Sequence, residues 1–322
     1  MAPQRIAVVD LGTNSTRLLV AEVEHGRIRE LERRSDVTRL GEGVDSSGRL
    51  SDAAVARVFD TLAAYRELID RQGAQAVVAV ATSAVRDADN GEQFRRELVE
   101  RFGIDARTIP GEEEARLTFR GATAGQTDSA AEAMVLDIGG GSTEYVEGKP
   151  GAEPSFHVSA ALGSVRQSER HLASDPPAAM ELEELRQAVA RIIETEVPAE
   201  VRERVDAGIA VAGTATSLAA IDLELDPYDP ERVHGYQLTL AAAKRILEQL
   251  AALPLAERRE VTGLHPGRAP TIVAGAVILV QSMQAFGLAA MEVSEADLLH
   301  GAALSAAVEE GLSPGGYKPL PN

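Results

Sequence analysis

The run Asp10-Leu-Gly12-Thr13-Asn14-Ser15-Thr16 returns as Asp137-Ile-Gly139-Gly140-Gly141-Ser142-Thr143, each time directly after an apolar stretch and before another. Asp, Gly, Ser and Thr fall at the same offsets in both copies. A repeat of this kind limits the architecture before any single element is assigned. It predicts an α/β chain of two duplicated halves, each opening with strand, polar glycine-bearing turn and strand.

The rest of the chain fits that plan. Ile6–Val9 and Arg17–Val23 read as the first pair of strands, and Ser51 caps an amphipathic helix carrying Val55, Val58, Phe59, Leu62 and Ile69 on one face. Ala76–Ala81 reads as a buried strand, Gly91–Phe102 as a helix, 105–109 as a strand and Glu112 as the opening of the next helix. From Met134 the pattern restarts, with 148–154 as a loop. The expected domains are 1–127 with about 300–322, and 128–299; the Pro- and Gly-rich tail after Leu312 is expected to be loosely held. At 322 residues, 44% apolar and 25% charged, there is enough chain for two globular cores.

Charge narrows the function. A net charge of −18 excludes a general nucleic-acid binder, which needs a basic face, so a polyanionic substrate must be met by local arginines. With no Cys there is neither thiol chemistry nor a disulfide. The N-terminal apolar stretch is too short for a signal peptide, and the run Ile272–Val280, soon broken by Gln281, Ser282 and Gln284, reads as a buried helix and not a membrane span. The expected location is the cytoplasm, with no membrane partner.

An Asp-x-Gly-x-x-Ser-Thr turn between strands has a chemical use. Glycine lets backbone N–H groups come close to phosphate oxygens, the hydroxyls add neutral donors, and the aspartate at the strand end can hold Mg²⁺ through water. One such turn is more often an ordinary hairpin; two in register, the second with Gly139, Gly140 and Gly141 consecutive, favour an anion site. A weaker third candidate is Gly213-Thr214, where a small-residue strand runs into a helix. Glu112, Glu113 and Glu114 fall in a helix's first turn, where the dipole alone favours acids.

The segments AVVDLGTNSTRLLVAEV, ATSAVRDADN, IPGEEEARLTFRGA, VLDIGGGSTEYVEG and VAGTATSLAA, in this order and at this spacing, resemble the exopolyphosphatase and guanosine pentaphosphate phosphohydrolase family over roughly residues 6–304. The resemblance implies the actin-like, ribonuclease-H-like fold with a central cleft, and loss of the terminal phosphate from polyphosphate or of the γ-phosphate from guanosine pentaphosphate. Carried over position by position, Glu114 matches the catalytic base, Asp137 and Glu144 the metal- and water-positioning carboxylates, and Arg86 and Arg166 phosphate-binding arginines. The resulting expectation is Mg²⁺ held by Asp137, Glu144 and Asp10. Phosphate would be held by Gly12, Thr13, Asn14, Ser15, Arg17, Arg86, Gly139, Gly140, Gly141, Ser142, Thr143, Arg166, Gly213 and Thr214. Arg116, Arg120 and Arg170 are further candidates along a polyanion path, while His234 reads as a loop or packing histidine and not a ligand. Polyphosphate, in short chains, is the preferred substrate and a homodimer the expected assembly.

Two departures stand out. The long C-terminal helical extension of many relatives is missing, and Leu299 and His300 stand where many carry Arg and Glu. A kinase of the same superfamily is disfavoured because the late turn, Ala212-Gly213-Thr214-Ala215, lacks a second glycine for adenosine. A catalytically idle nucleotide sensor is disfavoured by retention of Glu114, Asp137 and Glu144.

Overall fold

A computed structural model describes residues 3–125 and 132–308. The tail after Leu312 and the boundary expected at 127/128 therefore lie outside the described residues. The chain forms two compact units, one of residues up to Ala124 together with those from Leu298 onward, the other Gly125–Asp297.

The first unit is built on β1 (Gln4–Leu11), β2 (Thr16–Glu24), β3 (Arg27–Asp36), β4 (Ala76–Ala81) and β5 (Ala106–Thr108), in the spatial order β3-β2-β1-β4-β5. β1–β3 form an antiparallel meander and β4 and β5 add in parallel. The period of two in β1 sorts its side chains onto two cores. Ala7, Val9 and Leu11 join Val58, Leu62 and Ile69 of the helix Asp52–Gln72, whose N-cap Ser51 Oγ accepts from Ala54 N. Ile6 and Val8 pack on the other face with Leu117, Leu298, Leu299 and Ala302. Those last residues come from the helices Gly111–Ala122 and Leu298–Ala307, which cross at Gly301: a Cβ there would lie 1.8 Å from Leu117 O. The two helix backbones are in contact, and only glycine permits it.

The sequence reading passed over β3. Its residues, RIRELERRSD, carry no apolar alternation because it is an edge strand bonded to β2 alone. Such a row of charges keeps an exposed edge from pairing with another chain. The tight turn that creates it is His25-Gly26, both at positive φ (49° and 75°) as a two-residue hairpin demands.

The second unit repeats the plan with β6 (Ala133–Ile138), β7 (Thr143–Gly148), β8 (Phe156–Ala160), β9 (Ala207–Val211), β10 (Tyr236–Thr239) and β11 (Ala290–Val293), ordered β10-β11-β9-β6-β7-β8. β8-β7-β6-β9-β11 thus reproduces β3-β2-β1-β4-β5, with antiparallel β10 as an addition. The duplicated α/β fold expected from the repeat is present. The run at Ile272 is the buried helix Ile272–Ala285, anchored where Tyr145 Oη and Ser282 Oγ lie 2.8 Å apart. Among the described residues no helix is long and apolar enough to cross a membrane.

Away from the glycine turns, β7 carries a buried acid, Glu147. Arg204 grips it through Nε at 2.8 Å and again through a terminal nitrogen, and Ser155 Oγ donates at 2.9 Å. Burial works against the charged carboxylate, but the hydrogen bonds from Arg204, Glu132 and Ser155 outweigh it and hold its carboxyl below the usual range. Hydrogen bonding to Glu147 pushes Glu132 the other way, up. A depressed carboxyl lends stability above its unfolded pKa and loses it as pH falls through the lowered folded value. The raised Glu132 has the opposite sign, full in acid and fading as pH climbs through its raised value. Arg204→Ala should lower the melting temperature at neutral pH by roughly 5 °C, with the deficit shrinking in acid as Glu147 takes up a proton. Thermal denaturation at neutral and acid pH measures both; a deficit that does not vary with pH would contradict this account.

Candidate active site

In the first turn Gly12 N donates to Ser15 O at 3.1 Å, and a Cβ at Gly12 would lie 2.9 Å from that oxygen. The carbonyls of Thr13 and Asn14 are tied down by Gly41 N (2.8 Å) and Arg39 N (2.9 Å). Since the peptide unit is planar and trans, a carbonyl held on one side directs the next residue's N–H to the other. The amides of Asn14 and Ser15 therefore face away from the buttress, forming a nest for an anion. Thr13 Oγ1 lies 2.8 Å from Ser83 Oγ, and Thr16 Oγ1 lies 3.0 Å from Thr38 Oγ1. Ser15 Oγ and Asn14 Oδ1 are buried without a hydrogen-bond partner, the kind of unmet polar atom that a ligand satisfies.

The second turn is built alike. Gly139 N donates to Ser142 O at 3.0 Å, and a single element secures the carbonyls: Ser164 N to Gly139 O (2.9 Å), Val165 N and Arg166 N to Gly140 O (2.9 and 3.2 Å), and Arg166 Nε to Gly141 O (2.9 Å). The same planarity argument sends the amides of Gly140, Gly141 and Ser142 outward. The amides that open the helix Ser164–His171 are consumed by the glycine turn. One expectation changes here. Thr143 Oγ1 donates to Leu162 O, bracing β7 against the next loop, which takes that hydroxyl from the set of phosphate donors.

Gly163 makes this docking possible, because a Cβ on it would sit 2.2 Å from Gly140 O. Gly163→Ala should push the turn out of place, lowering the melting temperature and reducing the kcat/KM of the protein that does fold by about 10²-fold, the usual effect of an ångström-scale misplacement. Unchanged kcat/KM in the folded fraction would show the glycine to be merely structural.

Register sets the carboxylates. Asp137 on β6 pairs with Glu144 on β7, and both are buried (6% and 1% exposed). Directly opposed residues on neighbouring antiparallel strands point to the same face. Ser159 Oγ donates to Glu144 Oε1 at 2.6 Å, orienting one acid. In the first unit the same register places Arg17 opposite Asp10, with Arg17 Nε donating to Asp10 Oδ2 at 2.8 Å. Among the described residues no group of three or more His, Asp or Glu gathers as a ready metal cage. An opposed carboxylate pair instead suits Mg²⁺, which keeps waters and shares its shell with substrate phosphates.

The third turn lies at the start of the helix Ala212–Asp222. Ala212 adopts φ 62°, and Thr214 Oγ1 reaches Ile138 O at 3.5 Å, linking this turn to the strand that ends in the triple glycine. Arg268, which sequence reasoning missed, lies so close that a Cβ on Gly213 would be 1.4 Å from its Nη1. The bare glycine was the available signal, since it makes room for a guanidinium, but nothing local to it names an arginine so far along the chain.

The acid triple separates cleanly. Glu112 is exposed and Glu113 is paired with Arg107, whereas Glu114 is buried (8% exposed) with its Oε2 3.5 Å from Arg86 Nη1. Arg86 Nη1 also donates to Ile109 O at 2.9 Å, which fixes the guanidinium beside that acid. Arg120 donates to Ser305 Oγ at 3.3 Å, Arg116 is exposed, and Arg170 is in the last turn of its helix. His234 is exposed, and its Nδ1 accepts from Glu295 N at 3.3 Å, a contact between loops. His300 is buried with Nε2 2.8 Å from Glu30 Oε1, and Leu299 is in the core, so this pair serves packing in the first unit. In the first unit the fold therefore gathers Asp10 with Arg17 and Arg86 with Glu114. In the second it gathers Asp137, Glu144, the triple glycine, Arg166 and Thr214.

Comparison with known proteins agrees with this construction. Exopolyphosphatase 2 of Mycobacterium tuberculosis is 36% identical over 320 residues, covering 95% of this chain and 100% of that protein. A bifunctional 3-dehydroquinate synthase/phosphatase of Fusobacterium nucleatum is 32% identical over 309 residues, which are 92% of this chain and 46% of that one. The crystal structure of the Aquifex aeolicus member of the Ppx/GppA family matches with a TM-score of 0.80 at 30% identity, covering 97% of this chain and 100% of the other. A Cytophaga hutchinsonii exopolyphosphatase matches with a TM-score of 0.88 at 26% identity, covering 96% and 99%. The family model described as Ppx/GppA phosphatase family matches residues 19–310. With its duplicated actin-like sheets, its two glycine turns and this span of similarity, the chain belongs to the Ppx/GppA phosphatase family.

Proposed function

We propose that the chain is an exopolyphosphatase, removing the terminal phosphate of inorganic polyphosphate by in-line attack of water. The observation that carries this reading is the buried Asp137–Glu144 pair beside the triple-glycine turn, acidic side chains set against an anion nest. Such a pairing makes chemical sense where a divalent cation is to be shared with phosphate oxygens. Asp137 and Glu144 would hold Mg²⁺, which when bound spreads the charge that develops on the phosphoryl oxygens.

The chain's own groups do the rest. The outward amides of the two turns hold phosphate oxygens, and Arg86 adds a fixed positive charge. Glu114, the one buried acid of its triple, takes the proton from the attacking water, and in the second unit Ser159 orients Glu144. Arg86 keeps Glu114 from swinging away. Most of the acceleration in phosphoryl transfer comes from such positioning and charge stabilisation. Mycobacterial relatives named exopolyphosphatase support the choice of substrate.

A phosphate-release assay with short and long polyphosphate, guanosine pentaphosphate and ATP, each with Mg²⁺, tests the assignment. Release from polyphosphate should dominate, with short chains cleaved at least as well as long ones. Faster release from guanosine pentaphosphate would replace this reading with the nucleotide phosphohydrolase, and ATP turnover with a phosphoryl acceptor would replace it with a kinase.

A further inference from the structure

A guanidinium stands behind the serine amide of each glycine turn, directly in one and at a remove in the other. In the second turn Arg166 Nε donates to Gly141 O at 2.9 Å. Gly141 O and Ser142 N–H are the two ends of one peptide unit, so positive charge backs the amide that faces outward. The first turn has Asn14 at the place of Gly141, and Asn14 O accepts from Arg39 N at 2.9 Å. The peptide unit that ends in Arg39 N–H begins at Thr38 O, and Thr38 O accepts from Arg57 Nε at 2.7 Å.

We propose that Arg57, on the helix Asp52–Gln72, is a positioning residue for the first turn, its charge carried through two peptide units to the Ser15 amide that receives a phosphate oxygen. The relay runs from Arg57 Nε to Thr38 O, from Arg39 N to Asn14 O, and out along Ser15 N–H. Each trans peptide accepts at one end and donates at the other, so the dipoles line up and every link polarises the next. Thr38 and Leu40 are buried (2% and 0% exposed), which keeps water from screening the relay. Arg57 also shapes the loop. Its Nη2 donates to Arg39 O at 3.3 Å and to Glu42 Oε2 at 3.1 Å, so the fork holds the carbonyls on both sides of Arg39. Arg39 has φ 50°, a left-handed backbone that residues other than glycine rarely take. With the loop held in that bend, Arg39 N and Gly41 N both meet the turn. Ser15 Oγ, buried without a partner, belongs to the residue at the end of the relay and adds a second donor for an anion. The identity of that anion rests on the phosphohydrolase reading; the relay does not.

Arg57→Lys keeps the charge, Arg57→Gln keeps a hydrogen-bond donor without charge, and both break the fork. Asn14-Ser15 is the one Asn–Ser pair in the sequence, so labelling the Asn carbonyl carbon and the Ser nitrogen isolates the Ser15 amide by nuclear magnetic resonance. In the full chain without phosphate, its proton should move upfield in Arg57→Gln and stay near the wild-type position in Arg57→Lys. Calorimetry of inorganic phosphate binding is run in about 1 M potassium chloride, where a Debye length of about 3 Å screens charge acting through solvent. Affinity should fall roughly tenfold in Arg57→Gln, the size of one charge-assisted hydrogen bond lost, and at most about threefold in Arg57→Lys. With polyphosphate, KM should follow the same order while kcat changes less. Thermal melts identify any variant that fails to fold. Should Arg57→Gln do so, Glu42→Gln decides, since it removes the counter-charge of Arg57 and keeps an acceptor: the Ser15 proton should then move downfield. Equal losses of affinity in folded Arg57→Lys and Arg57→Gln, the mark of a purely structural clamp, would overturn the proposal. So would an unmoved Ser15 amide in folded Arg57→Gln or, where that variant does not fold, in Glu42→Gln. The expected Ser15 shifts without polyphosphate hydrolysis would overturn the substrate assignment alone.

Discussion

Glu114→Gln should cut polyphosphate turnover by about 10²–10⁴-fold, the usual contribution of a general base, and leave substrate affinity unchanged or improved. The substitution keeps the size of the side chain and removes its basicity. Glu114 is buried against the guanidinium of Arg86, so the neutral amide retains the same neighbour while a carboxylate facing a polyanion is gone. Residual turnover should stay above the uncatalysed rate because the turn amides and Arg86 still stabilise charge. Glu112→Gln and Glu113→Gln are the controls. Glu112 is exposed and Glu113 is bound to Arg107, so each should affect stability through the helix dipole and leave turnover within a few-fold. Steady-state kinetics with a direct binding measurement on all three variants settles the assignment. A dead Glu112 or Glu113 variant beside an active Glu114→Gln would move the base to a neighbour.

Asp137→Ala should lower turnover by at least about 10³-fold, comparable to losing the strongest electrostatic element of a phosphoryl-transfer site. The protein should stay folded, because the change leaves the backbone pairing of β6 with β7 intact. The expected result is an inactive, folded variant. Excess chelator should reproduce the loss in wild type, reversibly on adding Mg²⁺. Full activity in chelator, or a Asp137→Ala variant that melts well below wild type, would contradict the role given to this pair.

What could be read from the sequence follows from what is local. The two turns announce themselves because glycine, a hydroxyl pair and a strand-end acid are needed within a few residues, and duplication made the pattern visible twice. The buried strand Ala76–Ala81 and the helix at Ile272 were legible because burial on all sides leaves an unbroken apolar run. β3 was not, since an edge strand in water needs no apolar residues and this one has charge at most positions. Thr143 carries the right hydroxyl in the right motif, and only its placement against Leu162 shows that it is engaged. The pairing of Asp10 with Arg17 is hidden for a related reason: two residues seven apart become partners only through the hairpin register.

The crossing at Gly301 has a consequence for synthesis on the ribosome. The helix that bears Glu114 rests its apolar side, through Leu117, on a helix made of the residues from Leu298 to Ala307. A growing chain reaches that helix only after the whole of Gly125–Asp297 has been translated. Until then the first sheet has one face uncovered, and the helix that carries Glu114 lacks the surface that fixes its angle. The second unit, continuous in sequence, can fold as it emerges, while the first must wait for Leu298–Ala307. Until that helix is made, Leu117 lacks its packing partner, leaving apolar surface of the kind that chaperones bind.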